Sequence, residues 1–267
     1  MTKIITISNQ KGGVGKTTAA VSLAHGIARS GKKTLLVDLD GQGNVARSLR
    51  KEQEPGAFHL LRRYGSSLPE IETVRQWVRP TGRERLWFLP GNETTNIALA
   101  EMISAKKGID HIRWALEPVL DGLDCVVIDT PPSMNDLQVG ALFAADFVIV
   151  PTLPNYLDIQ QLNAVIDVLY GMRSDPEKRW RGTLLGALPT FLEETPTSHH
   201  KAMEYLEKEY GGRGLLLPII HKANIISNCP ALGKTIFEMD ARHPAEVRAI
   251  EEFQRLTDVV LDKVFKR

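Results

Sequence analysis

Residues 9–18 of the chain read Asn-Gln-Lys-Gly-Gly-Val-Gly-Lys-Thr-Thr, between a β-branched run at 3–8 and an apolar helical stripe at 17–30. The run fits Gly-x-x-x-x-Gly-Lys-[Ser/Thr] except at its first position, where Gln10 replaces glycine. Between a strand and a helix, such a loop closes its N–H groups around phosphate oxygens at the positive helix end. A turn that merely joins strand to helix leaves two lysines and two threonines unexplained. The run therefore predicts a phosphate-binding loop in an α/β fold.

The polar residues of this loop suggest separate roles. Lys16 is placed to bridge the outer phosphates, and the Thr17 hydroxyl is placed to ligate Mg²⁺ directly. The additional lysine, Lys11, is well placed to serve a nucleotide bound by a second copy of the chain. We therefore predict ATP and Mg²⁺ as cofactors and a homodimer that forms with ATP. The predicted nucleotide-binding residues are Lys11, Gly12, Gly13, Val14, Gly15, Lys16, Thr17, Thr18 and Asp129.

Two further apolar runs end in carboxylates, one at Asp38 and Asp40 and the other at Asp129. Ligands bind beyond the carboxyl ends of parallel strands, so Asp40 and Asp129 are predicted to face the same phosphates as Lys16. We expect both to hold Mg²⁺ through water, and Asp40 to position or deprotonate the attacking water. Lys11, Lys16 and Asp40 are thus the predicted catalytic residues. Asp38 fits a structural role equally well, since aspartate after a strand is also a common cap or turn residue.

Alternating strand and helix patterns predict a single domain over residues 1–267, with a doubly wound, mostly parallel sheet and helices on both faces. Residues 47–85, broken by proline and glycine, are expected to form loop with short helices on a surface that partners meet. The predicted strands are 3–8, 33–38, 86–89, 124–128, 146–150, 183–189 and 214–218. The predicted helices include 17–30, 94–118, 136–144, 158–173, 197–209 and 244–265.

Residues 11–18, 37–44 and 127–133 resemble the ParA/MinD family of deviant Walker ATPases, and specifically its ParA branch; residues 144–151 and 228–236 are also similar. The resemblance covers nearly the whole chain. It implies that Lys11 reaches across a nucleotide-sandwich dimer, that Gly12 lies where the subunits press closest, and that Asp40 is needed for hydrolysis.

The resemblance also implies a function. It predicts an ATPase with slow basal turnover whose ATP dimer binds nonspecific DNA in DNA segregation. A ParB-like or other adaptor protein would stimulate hydrolysis and release the dimer. The chain departs from the family at Gly41, where proline is usual, and at His221 and Lys222, where Pro-Arg is frequent.

The net charge of +1 gives no general sign of nucleic-acid binding, so any DNA contact must come from local patches. Each candidate alone fits a solvated surface charge better than a phosphate contact. If the set does bind DNA, the binding should be salt-sensitive and independent of sequence. The candidate residues are Lys178, Arg179, Arg181, Arg213, Lys222 and Lys234.

The sequence also bears on the location of the protein. The two cysteines, Cys125 and Cys229, suggest no disulfide framework, and no apolar run approaches the roughly 18 residues of a membrane span. Neither a signal peptide nor the N-terminal DNA-reading extension of longer relatives is expected. We therefore expect a cytoplasmic, nucleoid-associated protein.

The same fold and phosphate loop also occur in proteins with other functions. A MinD-like membrane-surface or protein-cargo positioning ATPase would use the last helix as a membrane contact. Acidic and basic residues alternate on the polar side of that helix, which favours packing in the core and no stable membrane association. Nitrogenase-type iron proteins share the loop but need two cysteines for a shared cluster, and Cys125 falls in a predicted buried strand. A small kinase or ligase would need an acceptor pocket, for which the sequence shows no clear sign.

Overall fold

The computed structural model describes residues 1–62, 76–106, 108–175, 180–193 and 197–266. Eight strands in these ranges form one sheet. They are β1 (Lys3–Ile7), β2 (Thr34–Asp38), β3 (Arg79–Arg83), β4 (Leu86–Leu89), β5 (Cys125–Asp129), β6 (Phe147–Thr152), β7 (Thr183–Leu192) and β8 (Ile220–His221).

Helices connect most of these strands and cover both faces of the sheet. In the described ranges they are α1 (Lys16–Arg29), α2 (Asn44–Ser48), α3 (Ala57–Leu61), α4 (Thr94–Ser104), α5 (His111–Leu120), α6 (Asp136–Ala144), α7 (Tyr156–Ser174), α8 (Thr197–Tyr210), α9 (Asn224–Leu232) and α10 (Pro244–Phe265). Short 3₁₀ turns at Gly211–Arg213 and Ile236–Glu238 complete the pattern.

The strand order is β3-β4-β2-β5-β1-β6-β7-β8, and all pairs are parallel except β3 with β4. The register pairs Asp129 at the end of β5 with both Ile7 and Asp38. The carboxyl ends of β1, β2 and β5 therefore meet at one edge, where open parallel sheets bind ligands. The predicted fold class is confirmed.

Side chains alternate between two apolar layers along the central strands, as the pleat requires. In β1, Ile5 and Ile7 enter the layer that contains α1, α9 and α10, whereas Ile4 enters the layer under α3 to α6. In β6, Ile149 faces the first layer, and Val148 and Val150 pack under α7 and α8. Both faces are buried, which is why these strands read as continuous apolar runs.

The edges of the sheet differ from the prediction. The predicted strand at 214–218 is wrong: only Leu216 bridges to Ala187, and pairing resumes at β8. Pro218 has no N–H to donate, which interrupts the ladder at this point. At the other edge, β3 was not predicted because Pro80 and Gly82 read as breakers. Proline is tolerated there because β3 is an antiparallel edge strand.

The predicted helix 94–118 is two helices, α4 and α5. Helix α4 ends where Lys106 adopts φ +48°, in the left-handed region that stops a helix, and α5 begins only at His111. Helix α9 was missed because Pro230 lies inside it; it ends at Gly233, with φ +65°. Helix α3 agrees with the short helices expected within 47–85, whereas α2 begins at Asn44, before that segment. Residues 63–75 of the segment lie outside the described ranges.

Helix α10 spans the predicted 244–265 and packs on α1, which confirms the predicted core role. Phe253, Leu256, Val260 and Val264 are buried, and Val247 near the start is partly exposed. None of the helices in the described part of the chain is both long and apolar enough to cross a bilayer.

Candidate active site

The loop between β1 and α1 is shaped by glycines that a side chain would disturb. Gly13 and Gly15 have φ +76° and +83°, in the left-handed region that favours glycine. A Cβ at Gly15 would also lie 3.1 Å from the Phe191 ring. Gly15 precedes α1 without a side-chain cap, so the first N–H groups of the helix stay available to an anion. Val14 is fully buried, and its carbonyl accepts a hydrogen bond from Thr190.

Lys16 lies inside the loop and is almost fully buried. Its ammonium donates a 2.8 Å hydrogen bond to the carbonyl of Lys11. Burial lowers the pKa of Lys16, and the charges of Asp129 and Asp40 oppose that shift. The negative charge of a bound polyphosphate would stabilise the charged form of this buried ammonium group.

Asp129 lies beneath the loop at the end of β5. The Thr17 hydroxyl donates a 2.6 Å hydrogen bond to Oδ2 of Asp129, and Oδ1 has no hydrogen-bond partner among the described residues. Burial raises the pKa of Asp129 to about 7, against the effects of Thr17 and Lys16. A buried carboxylate with an orphaned oxygen beside a threonine hydroxyl fits hydrated Mg²⁺, which favours oxygen ligands and keeps several waters.

Asp38 and Asp40 differ in role. Asp38 is fully buried and accepts hydrogen bonds from the backbone N–H groups of Asp40, at 2.9 Å, and Val45, at 3.1 Å. Burial and the nearby Asp129 raise its pKa well above the ordinary range. Asp38 therefore holds the segment that carries Asp40, which supports its structural role. Asp40 accepts from the Gln42 N–H and faces the cavity.

A cavity of about 300 Å³ joins most of the predicted residues. Its lining residues are Gly12, Gly13, Gly15, Lys16, Thr17, Thr18, Asp40, Gln42, Asn44, Pro132 and Phe191. A second cavity of about 350 Å³ shares Gly13 and Phe191 with it and is flanked by Glu193 and Lys222. The two cavities thus adjoin at the loop, with space for a phosphate chain and a nucleoside.

Lys11 is directed away from this cavity. Its ammonium lies 2.9 Å from each carboxylate oxygen of Asp158, in the first turn of α7. Asp158 is fully buried, whereas the Lys11 side chain is 42% exposed. The Asn155 side chain caps α7 by accepting from the Asp158 N–H. Asp158 was not predicted; the only local signal is this Asn-x-x-Asp pattern after β6.

The comparisons with known proteins agree with this geometry. A family model described as an AAA domain matches residues 2–179. Chromosome-partitioning ATPase Soj of Thermus thermophilus is 32% identical over 260 residues, which span 97% of this chain and 96% of that protein. The chain belongs to the ParA/Soj family of chromosome-partitioning ATPases.

Two more matches extend this assignment. Chromosome partitioning protein ParA of Myxococcus xanthus is 31% identical, over 90% of this chain and 82% of that protein. Among solved structures, an ATP complex of a McdA variant from Cyanothece has a TM-score of 0.80 at 18% identity, covering 97% of this chain and 96% of that one. This structural likeness concerns the fold alone.

The two departures from the ParA pattern have local explanations. At Gly41, a Cβ would lie 2.4 Å from the side-chain amide of Asn96, so that side chain occupies the space where the family usually has proline. At His221, the N–H donates a 2.8 Å bond to Glu252 and the ring lies 2.6 Å from the same carboxylate. Proline has no N–H to make the first of these bonds.

The four candidate DNA-binding residues that the structure describes do not gather on one surface of the subunit. Arg181 precedes β7 and Lys222 follows β8, so they lie at opposite ends of parallel strands. Lys222 forms a 2.7 Å ion pair with Glu193 beside the second cavity. Arg213 is exposed and Lys234 is half-buried. Lys178 and Arg179 lie outside the described residues.

The two cysteines and Trp180 have structural roles. Cys125 is fully buried in β5, as predicted, and Cys229 is buried in α9. Trp180 is buried and donates a hydrogen bond to the Ala145 carbonyl. Its ring is therefore not available to stack on a base.

Proposed function

We propose that this ParA/Soj-family ATPase is an ATP-dependent dimerisation switch that binds nonspecific DNA as the ATP dimer. The position of Lys11 carries the proposal. Lys16, Thr17 and Asp40 line one cavity, while Lys11 is held outside it by Asp158, on a partly exposed face. A cation so placed can serve the nucleotide of a second copy more readily than its own.

Mg²⁺, when bound, neutralises charge on the outer phosphates. Thr17 would ligate it directly, and Asp40 and Asp129 would hold it through water. Asp40 would orient and deprotonate the water that attacks the terminal phosphate. Lys11 from the second subunit would stabilise the charge that develops there, an effect that can reach about 10³–10⁵ in rate for an arginine finger. Turnover would therefore be slow until a partner protein helps to complete the site.

We assign the nucleoside to the second cavity, since it continues from the loop at Gly13 and Phe191.

The proposed DNA binding rests on the family alone, because the described candidate basic residues are scattered. The protein would stay on the nucleoid while ATP is bound and would leave the DNA when ATP is hydrolysed. The apolar face of α10 is buried, so this helix does not favour the membrane-surface alternative.

The first experiment compares Lys11→Ala with Lys208→Ala, an exposed lysine on α8, by sedimentation velocity with Mg²⁺ and a non-hydrolysable ATP analogue. Lys11→Ala should still bind nucleotide, because its side chain lies outside the cavity, but should lose dimers and ATP hydrolysis. The control should behave like wild type. Dimers at wild-type strength in Lys11→Ala would refute the role of Lys11 in a second site.

A second experiment tests hydrolysis and DNA together. Asp40→Ala should retain ATP and accumulate as the dimer, and this trapped form should shift duplexes of unrelated sequence equally. Raising the salt concentration should weaken the shift steeply, because phosphate contacts release counterions. Rapid hydrolysis by Asp40→Ala would reject this carboxylate, and absence of any shift would reject the proposed DNA binding.

A further inference from the structure

Helix α7 begins with two large apolar side chains that face solvent. Tyr156 is 74% exposed and Leu157 is 65% exposed. The next residue, Asp158, is fully buried and holds Lys11. The apolar pair therefore adjoins the ammonium group that the proposed function assigns to a second nucleotide. Isolated exposed apolar residues are ordinary, but two large ones in one turn beside a functional lysine need an explanation.

The phosphate loop reaches the same face. Gly13 lines one cavity together with Leu153, Pro154 and Asn155, so the start of α7 abuts the loop. Gly12 is exposed, and a Cβ there would have only a distant contact with Pro132, at 3.9 Å. The rim of the loop and the first turn of α7 thus form one continuous outer surface.

We propose that Tyr156 and Leu157 anchor the docking of a second copy of this chain on that surface. The inference rests on the proposed function, since the occupant is chosen by its proximity to Lys11. In a two-fold interface the same patch is used on both subunits, so each anchor acts twice. Tyrosine is also enriched among the residues that dominate binding energy.

The size of the patch explains why docking depends on nucleotide. A stable interface covers about 800 Å² on each partner, and two side chains supply only a small part of that area. The apolar pair alone is therefore too small to hold a dimer. With ATP bound, the ion pairs between each Lys11 and the opposite phosphates add to the apolar contact.

A groove beside the patch offers a different occupant. Tyr156 also lines a cavity of about 680 Å³ between α7 and α8, together with Gln160, Lys201 and Tyr205. A helix of another protein could lie in this groove. The pair at the start of α7 favours a second copy because Leu157 lies outside the groove and beside Asp158.

The experiment compares Tyr156→Ser/Leu157→Ser with the matched control Tyr170→Ser. Tyr170 lies on the same helix, is 60% exposed, and is 14 residues further on, about 21 Å along the axis and on nearly the same side. Dimer dissociation constants are measured by sedimentation velocity with Mg²⁺ and a non-hydrolysable ATP analogue. The double variant should dimerise roughly ten-fold more weakly or worse, as expected for truncated interface anchors. Its thermal stability and monomer affinity for nucleotide should match wild type.

The outcomes separate this inference from the proposed function. Wild-type dimer strength in the double variant, with Lys11→Ala monomeric, overturns the anchors and leaves the role of Lys11 intact. The anchors are also overturned if Tyr170→Ser weakens the dimer as much as the double variant does. The same holds if only Tyr205→Ser, a substitution in the groove, weakens the dimer. Sedimentation of wild type but not the double variant with phosphatidylglycerol vesicles would show a lipid contact instead. A wild type that stays monomeric with the analogue overturns both proposals.

Discussion

The proposed role of Lys11 at a nucleotide in another subunit requires its ion pair with Asp158 to open first. Asp158→Asn keeps the shape of the side chain and removes its charge. The cap of α7 is retained, because Asn155 accepts its bond from the backbone N–H of this residue. The substitution therefore weakens the contact that holds Lys11 back, and we expect the variant to dimerise with ATP more readily than wild type.

The magnitude follows from the burial of the two partners. Asp158 is fully buried but Lys11 is 42% exposed, so the pair lies between two limits. Exposed pairs contribute about 0–1 kcal/mol, and breaking a buried pair costs about 3–5 kcal/mol. After discounting for water around Lys11, we assign about 1–2 kcal/mol per subunit. A dimer opens two pairs, which corresponds to a dissociation constant roughly 30-fold to 900-fold lower in the variant.

The assay is a concentration series in sedimentation velocity, with Mg²⁺ and a non-hydrolysable ATP analogue. Asp136→Asn is the matched control, because Asp136 also lies in the first turn of a helix capped by an asparagine. Both substitutions remove a negative charge near a helix N-terminus, which alone changes stability by about 0.3–1 kcal/mol. Only the Asp158 variant should dimerise at lower protein concentration.

Two results would refute this reasoning. Unchanged dimer strength in Asp158→Asn would mean that opening the pair requires no free energy. Weaker dimers would mean that Asp158 itself supports the dimer, for example by binding a cation of the second subunit. Neither result would affect the placement of Lys16, Thr17 and Asp40 around the 300 Å³ cavity.

Two further predictions concern the cavity itself. Burial raises the pKa of Asp129 from 3.8 to about 7, so the folded protein keeps a proton that the unfolded chain loses. Stability of the nucleotide-free protein should then fall as pH rises from about 4 to 7. In thermal scans at several pH values, Asp129→Asn should reduce this fall. If the variant loses stability with pH as steeply as wild type, the dependence belongs to other groups such as Asp38. Gly15→Ala should lose nucleotide binding in equilibrium dialysis, whereas Gly122→Ala, at φ +77° with open space around it, should keep it. Both variants should lose about 1–2 kcal/mol of stability from the left-handed backbone. Nucleotide binding by Gly15→Ala would show that a side chain at this position, close to Phe191, does not block the site.

The cavity could be predicted from sequence because its parts are local patterns joined by a simple rule. The loop at 9–18 lies between a strand and a helix, and two apolar strands end in carboxylates. Parallel pairing then places Asp38 opposite Asp129 and Asp129 opposite Ile7. No knowledge of side-chain packing is needed to bring these residues together.

The partner of Lys11 could not be predicted in the same way. Asp158 is 147 positions away, and an aspartate in a first helical turn is ordinary on its own. Its importance comes from the position of α7 beside the loop, which depends on how β6 and β7 pair. The edge strand β3 was missed for a related reason: Pro80 is acceptable because, among the described strands, none pairs on the outer side of β3.

The departures from the family pattern change the support of the site more than its chemistry. Gly41 and His221 contribute no group to the phosphate cavity. Each instead has a partner in this chain: the Asn96 side chain lies over Gly41, and Glu252 accepts the N–H of His221. Gly41 adjoins Asp40, and His221 adjoins Lys222 at the second cavity. Substitution at Asn96 should therefore alter the position of Asp40, and substitution at Glu252 should alter the position of Lys222. Neither Asn96 nor Glu252 itself lines either cavity.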